Sequence, residues 1–321
     1  MHQTSRRSPT RSGLRTTILA GGALLSLTAI AQAKPLEAIG VTMGSLGNPY
    51  FVALTKGVAD EARAGGKTVK VTAVSADYDL NKQFTQIDNF IAAGVNMIVL
   101  NAVDPNAILP AIKRAQAAGI VVIAADVAAA GADATVETDN TLAGNMSCAF
   151  LAQKLGGKGN VVIENGPQVS SVIDRVKGCK AALAKSPDIK ILSSDQDGKG
   201  SRDGGLAVMQ GYLVRYPDLN GLFAINDPQA IGSALAAKQQ HRDSLIISSV
   251  DGAPDIVDAL KTPGSLIVAS ASQDPYGMGR LAVKTGTGIL NGQQPAEKVT
   301  LMTPKLINAG NIGSYTGWTQ H

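Results

Sequence analysis

Four short apolar runs in this 321-residue chain end on a side chain that could hold a hydroxyl group. Residues 95–100 lead into Asn101, 120–125 into Asp126, 222–225 into Asn226 and Asp227, and 245–250 into Asp251. A carboxylate accepts two or more hydrogen bonds, and a carboxamide both donates and accepts, so these groups can pair with adjacent hydroxyls. Lys and Arg are scarce at these positions, which suits a neutral ligand. Helix capping and turn formation are the other common use of Asn and Asp. Recurrence at four run ends, split between two halves of the chain, favours a ligand. A fifth segment, Gly44-Ser45-Leu46-Gly47-Asn48-Pro49-Tyr50-Phe51, offers Asn48 as a helix N-cap and Pro49 as the first helical residue.

Other chemistry is poorly supplied. Of three His, His2 and His321 stand at the two ends and His241 in a polar stretch, which argues against His-based catalysis and His-rich metal sites. Two Cys cannot make a structural zinc site. The Gly-rich stretch Gly198-Lys199-Gly200-Ser201-Arg202-Asp203 lacks a third Gly and follows no clear strand, so it is no phosphate loop. The expectation is a non-enzyme without cofactor or metal. Asp126 and Asp251 keep one alternative open, a carboxylate pair for glycoside hydrolysis.

The elements that position these groups follow from periodicity. Strands are predicted at 39–43, 69–74, 95–100, 120–124 and 135–136, and again at 161–163, 189–192, 222–225, 245–250 and 266–269. Helical spacing fills the gaps, as in Phe51, Leu54, Val58 and Ala62, or Leu80, Phe84, Ile87 and Ile91. Apolar strands alternating with amphipathic helices predict an α/β fold of two similar doubly wound parallel-sheet lobes. In such sheets ligands sit beyond the carboxyl ends of the strands, where the polar residues above fall.

Charge separates the first 33 residues from the rest. Four of the 29 basic residues (Arg6, Arg7, Arg11 and Arg15) lie there with no acid, leaving 25 basic against 25 acidic side chains in the remainder. A neutral body argues against nucleic-acid binding. The basic start, the apolar stretch 18–30 and Ala31-Gln32-Ala33 predict a secretory signal peptide cut after Ala33, and a periplasmic mature protein. An oxidising compartment permits disulfides. Cys148 and Cys179 each lie in an apolar helical stretch, so either two buried thiols or one bridge between neighbouring helices fits.

Over residues 36–308 the chain resembles periplasmic solute-binding proteins of the ribose-binding type, receptors of ABC sugar importers. The resemblance is carried by the segment from Gly44 to Phe51, by Leu100-Asn101-Ala102-Val103-Asp104 and Ala124-Ala125-Asp126, and by Asp174-Arg175-Val176-Lys177-Gly178. Phe223-Ala224-Ile225-Asn226-Asp227, Val250-Asp251-Gly252 and Ser272-Gln273-Asp274-Pro275 complete it. It implies that Asn48, Asn101, Asp126, Arg175, Asn226, Asp251 and Gln273 hydrogen-bond sugar hydroxyls, and that Tyr50 and Phe51 cover apolar ligand faces. The residues themselves also allow Phe51 to be core and Arg175 to lie on a helix surface. Lobe 1 is expected over 34–139 plus 273–302 and lobe 2 over 140–272 plus 303–321, joined by a three-crossing hinge. The implied partners are a small neutral carbohydrate and the membrane permease of an ABC importer, and the chain is expected to be a monomer. A periplasmic sensor that presents sugar to a chemoreceptor or histidine kinase is the alternative. Two departures stand out: Val127 replaces an Arg that follows the Asp in ribose-type proteins, and no aromatic stands near residues 198–201. They point to a smaller or linear ligand such as a sugar alcohol.

Overall fold

Ten of the twelve strands coincide with the apolar runs. The computed structural model describes residues 35–318, so the expected leader over 1–33 lies outside the described residues. One sheet holds β1 (Ala38–Met43), β2 (Lys70–Ser75), β3 (Met97–Leu100), β4 (Val121–Ala125) and β5 (Ala134–Thr138), closed by β11 (Val299–Met302). The other holds β6 (Lys158–Glu164), β7 (Asp188–Ser193), β8 (Leu219–Ala224), β9 (Ile246–Asp251) and β10 (Ile267–Ser272), closed by β12 (Lys305–Asn308). Spatial order is β2-β1-β3-β4-β5-β11 in the first and β7-β6-β8-β9-β10-β12 in the second, one winding used twice. Pairing is parallel throughout, except that β12 runs antiparallel to β10.

Helices α1 (Pro49–Ala62), α2 (Leu80–Ala92), α3 (Leu109–Ala117), α4 (Asn140–Lys154) and α5 (Ser170–Leu183) alternate with the strands. So do α6 (Arg202–Arg215), α7 (Asp227–Gln239), α8 (Pro254–Lys261) and α9 (Pro275–Leu290). Asn48, Asn226 and Asp274 cap α1, α7 and α9 through side-chain oxygens, each with Pro in the first turn, where its missing N–H costs nothing. Every residue of β3 and β4 is buried, as expected for strands covered on both faces.

Three connections pass from one sheet to the other. One follows β5, after which α4 packs on β9 and β10; one follows β10, after which α9 returns to β4 and β5; the last joins β11 to β12. The two closing strands were not expected from sequence. Apart from buried Ile307 their residues are exposed or half-buried, as in edge strands, and Pro304 interrupts the run. Cys148 and Cys179 form a disulfide between α4 and α5. Among the described residues no helix is long and apolar enough to cross a membrane.

Candidate functional site

Sheets wound in this order change direction beside the first strand, and the segments after β1 and β3, or after β6 and β8, diverge there and leave a crevice. A cavity opens at that point, lined from both sheets. All nine residues singled out from sequence line it: Asn48, Tyr50, Phe51, Asn101, Asp126, Arg175, Asn226, Asp251 and Gln273. Capping and cavity lining turn out not to be alternatives. Asn48 caps α1 and Asn226 caps α7, and both still border the cavity.

Asp126 directly follows β4 and Asp251 is the last residue of β9, with φ of +72° and +135°, a region that side chains other than Gly rarely occupy. Backbone strain of this kind persists where surrounding contacts over-determine it. Asn101 Nδ2 donates to Asp126 Oδ2 at 3.0 Å and to the Ala125 carbonyl at 3.2 Å, while its own Oδ1 accepts from Gly44 N. Asp251 Oδ1 accepts from Gln273 Nε2 at 2.8 Å and from Arg175 Nη1 at 3.4 Å. Arg175 is 5% exposed, which rules out a surface position, and also donates to Asn140 Oδ1 and the Ile225 carbonyl. Tyr50 is buried and its hydroxyl donates to Gln273 Oε1 at 3.3 Å. Phe51 is both core and wall, edge-on to Tyr50.

One oxygen is left over. Asp126 Oδ1 is buried and accepts no hydrogen bond within 3.5 Å among the described residues, although the Tyr50 hydroxyl stands close enough to the carboxylate to help hold its charge. Burying a polar atom without a partner costs about 1–3 kcal/mol, so it stands ready for a donor in the cavity. Burial raises the Asp126 carboxyl, with Arg175 pulling the other way. Burial likewise pushes Asp251 up to about 6, against the pull of Arg175 and the Gln273 amide. One guanidinium thus faces two acids whose charge is already disfavoured. The cavity has no strong excess of either sign, and it suits an uncharged ligand that can donate to carboxylates. Among the described residues no group of three or more His, Cys, Asp or Glu stands close enough to share a metal ion.

Comparison with known proteins gives the same picture. The model of the periplasmic binding protein domain matches residues 39–294. The chain belongs to the periplasmic binding protein family. It is 33% identical over 266 residues to the ribose import binding protein of Bacillus subtilis, covering 82% of this chain and 84% of that protein. It is 32% identical over 255 residues to a xylitol-binding protein of Mycolicibacterium smegmatis, with 76% and 72% covered. Among solved structures, an ABC transporter solute-binding protein from Mycobacterium smegmatis with bound glycerol superposes with a TM-score of 0.81 at 28% identity, covering 89% of this chain and all of that one. Within the family this chain is ribose-binding-like, and the relatives are binding proteins of importers rather than enzymes.

Relative to ribose-type members, Val127 is buried in the core and contributes no cation. Gly200 lines the cavity with no side chain. Sequence reasoning missed Tyr78, which also lines it. The signal was available, because Tyr78 follows β2 as Asn101 follows β3. However, β2 alternates Lys70 and Thr72 with apolar residues, and attention to continuous apolar runs passed over its end. Trp318 was missed as well: it packs edge-on against Tyr50, and its indole N–H donates to the Asp251 carbonyl at 3.0 Å.

Proposed function

We propose that this protein is the periplasmic receptor of an ABC importer for a small neutral polyhydroxylated compound, a monosaccharide or a sugar alcohol, bound in the cavity between the two sheets. The unpartnered, buried Asp126 Oδ1 carries this reading, since a ligand hydroxyl is the donor it lacks. In the proposal Asn48, Asn101, Asp126, Arg175, Asn226, Asp251 and Gln273 hydrogen-bond the ligand, and Tyr50 and Phe51 cover its C–H faces. The relatives' ribose and xylitol ligands support the class. Val127 and Gly200 in place of a cation and an aromatic ring favour a sugar alcohol over a pentose ring. Hydrolysis is disfavoured because Asp251 is held by Arg175 and Gln273 and Asp126 by Asn101.

Delivery follows from motion. Residues 34–139 with 273–302 act as one lobe and 140–272 with 303–321 as the other, and the three connections form the hinge. A ligand touching Asp126 on one side and Asp251 on the other has more contacts when the lobes close, and that difference shifts the population. The exported, monomeric receptor then offers its closed face to the permease. The test is a thermal-shift and fluorescence screen of the mature chain against pentoses, hexoses, inositols and C4–C6 polyols. Trp318, the single tryptophan, touches both Tyr50 and Asp251 and should report binding. Ligand at 100-fold excess over Kd should add about 2.7 kcal/mol of stability. No response to any member of the panel would overturn the reading.

A further inference from the structure

Two consecutive residues other than Gly, Asp77 and Tyr78, hold φ of +52° and +55° after β2. Left-handed backbone at two such positions in a row is disfavoured and needs external restraint. Restraint is present. Ser75 Oγ and Lys82 Nζ both donate to the Asp77 carboxylate, and Tyr78 N donates to the Gly44 carbonyl at 3.0 Å. The turn lays the Tyr78 ring on Gly44, where an added Cβ would stand 2.8 Å from Cε1. The hydroxyl end reaches across to the other sheet's loop, 3.7 Å from where a Cβ on Gly200 would be. Among the described residues that hydroxyl has no hydrogen-bond partner.

A second pocket lies outside the first. It shares three lining residues with the inner cavity: Asn48, Tyr78 and Gly200. We propose that Tyr78, facing Gly200, is the wall between the two spaces, that its ring limits the length of the ligand, and that its hydroxyl hydrogen-bonds the ligand's terminal hydroxyl. This rests on the polyhydroxylated-ligand reading and deepens it: the substrate class is short polyols and sugars that end at Tyr78. Burial, and then the nearby acids Asp126 and Asp251, keep the phenol protonated and therefore a donor.

The experiment measures Kd by calorimetry for glycerol, erythritol, xylitol, mannitol and the disaccharide alcohol maltitol. Wild type should bind one of the short polyols best and maltitol not at all. Tyr78→Ala joins the two spaces, so maltitol should bind measurably and the affinity ratio of mannitol to the best shorter ligand should rise at least tenfold. Tyr78→Phe keeps the ring and should leave that ratio within about twofold while weakening every ligand by about 2- to 12-fold, the worth of one hydrogen bond. Tyr78→Leu, which retains packing on Gly44, should raise the ratio partway and serves if the alanine variant does not fold. An unchanged ratio in the truncated variant overturns the inference while the functional reading stands. Equal ratio changes in Tyr78→Phe and the truncated variant also overturn it. Failure of wild type to bind any of the five while it binds a pentose or hexose overturns the inference alone, and failure to bind any sugar or polyol overturns both.

Discussion

The α1–α9 pair beside the first sheet and the α4–α5 pair beside the second use the same packing device for different cargo. Each brings two helix backbones into contact through glycine. A Cβ at Gly57 would lie 2.1 Å from the Tyr276 carbonyl oxygen, and one at Gly144 would lie 2.0 Å from that of Arg175. What they present to the cavity differs. The first pair offers uncharged groups, Tyr50 and Phe51 from α1 and Gln273 just before α9, with Trp318 packed behind. The second carries Arg175, a buried cation that must be held by Asn140, the Ile225 carbonyl and Asp251. The second pair is also the one joined by a disulfide. Where a charge is buried, its helix cannot drift without leaving partners unpaired, and that half is the covalently fixed one.

The largest effect should come from breaking that charge arrangement. Arg175→Met leaves Asp251 buried without its cation and should cost about 3–5 kcal/mol. Tyr50→Phe in the first pair removes a neutral hydroxyl bonded to the Gln273 amide and the Met278 sulfur, with each such bond worth about 0.5–1.5 kcal/mol at most. Urea denaturation of both variants without ligand checks the contrast, and equal losses would show that the two helix pairs do not differ as argued. Asp251, already near 6, should titrate higher still in Arg175→Met, because burial then acts unopposed by the guanidinium.

Next in size is the disulfide. It closes 31 residues, for which chain entropy gives about 3–4 kcal/mol. Replacing both Cys148 and Cys179 by Ala should therefore lower stability by roughly that amount. Hydrogen exchange should localise the change: amides of α4 and α5 should open more readily while those of α1 and α9 keep their protection. Loss spread evenly over both pairs would mean that the bond constrains the whole chain rather than one half.

The same contrast explains what could be read from sequence. Residues reached along continuous apolar strands, such as Asn101, Asp126, Asn226 and Asp251, were legible because the strand end fixes the direction in which the next side chain points. Arg175 was legible only through its motif, since its neighbours Ile173 and Val176 do not reveal which face of α5 is inward. Tyr78 and Trp318 were not legible. One depends on a left-handed turn, the other on where a tail lands after β12, and neither is encoded in periodicity. The supporting polar layer was also hidden, because buried Gln83 and Glu164 are residue types ordinarily found on surfaces.

That layer differs between the halves. Under the first sheet's strand ends, Gln83 donates to the Asn101 carbonyl and to Thr42 and accepts from Val103 N, so every group is neutral. Under the second, Gln229 accepts from Gly200 N and donates to Glu164, whose other oxygen lies 2.5 Å from Ser233 Oγ. Burial pushes Glu164 up to about 8, with the bonds from Ser233 and Gln229 opposing it. With its proton on, Glu164 donates to Ser233 Oγ, whose hydroxyl then serves the Gly205 carbonyl at 3.2 Å, and no oxygen is stranded. Between the ordinary carboxyl range near 4.5 and about 8, the folded state holds this proton and the unfolded chain does not. Raising the pH across that window therefore favours unfolding, by at most about 1.4 kcal/mol per pH unit. An amide reproduces the protonated pattern. Glu164→Gln should match wild type near pH 5 and exceed it progressively toward pH 8, a change of slope more than of height. Denaturant melts at pH 5, 6, 7 and 8 measure it, and parallel slopes for the two proteins would place the proton elsewhere.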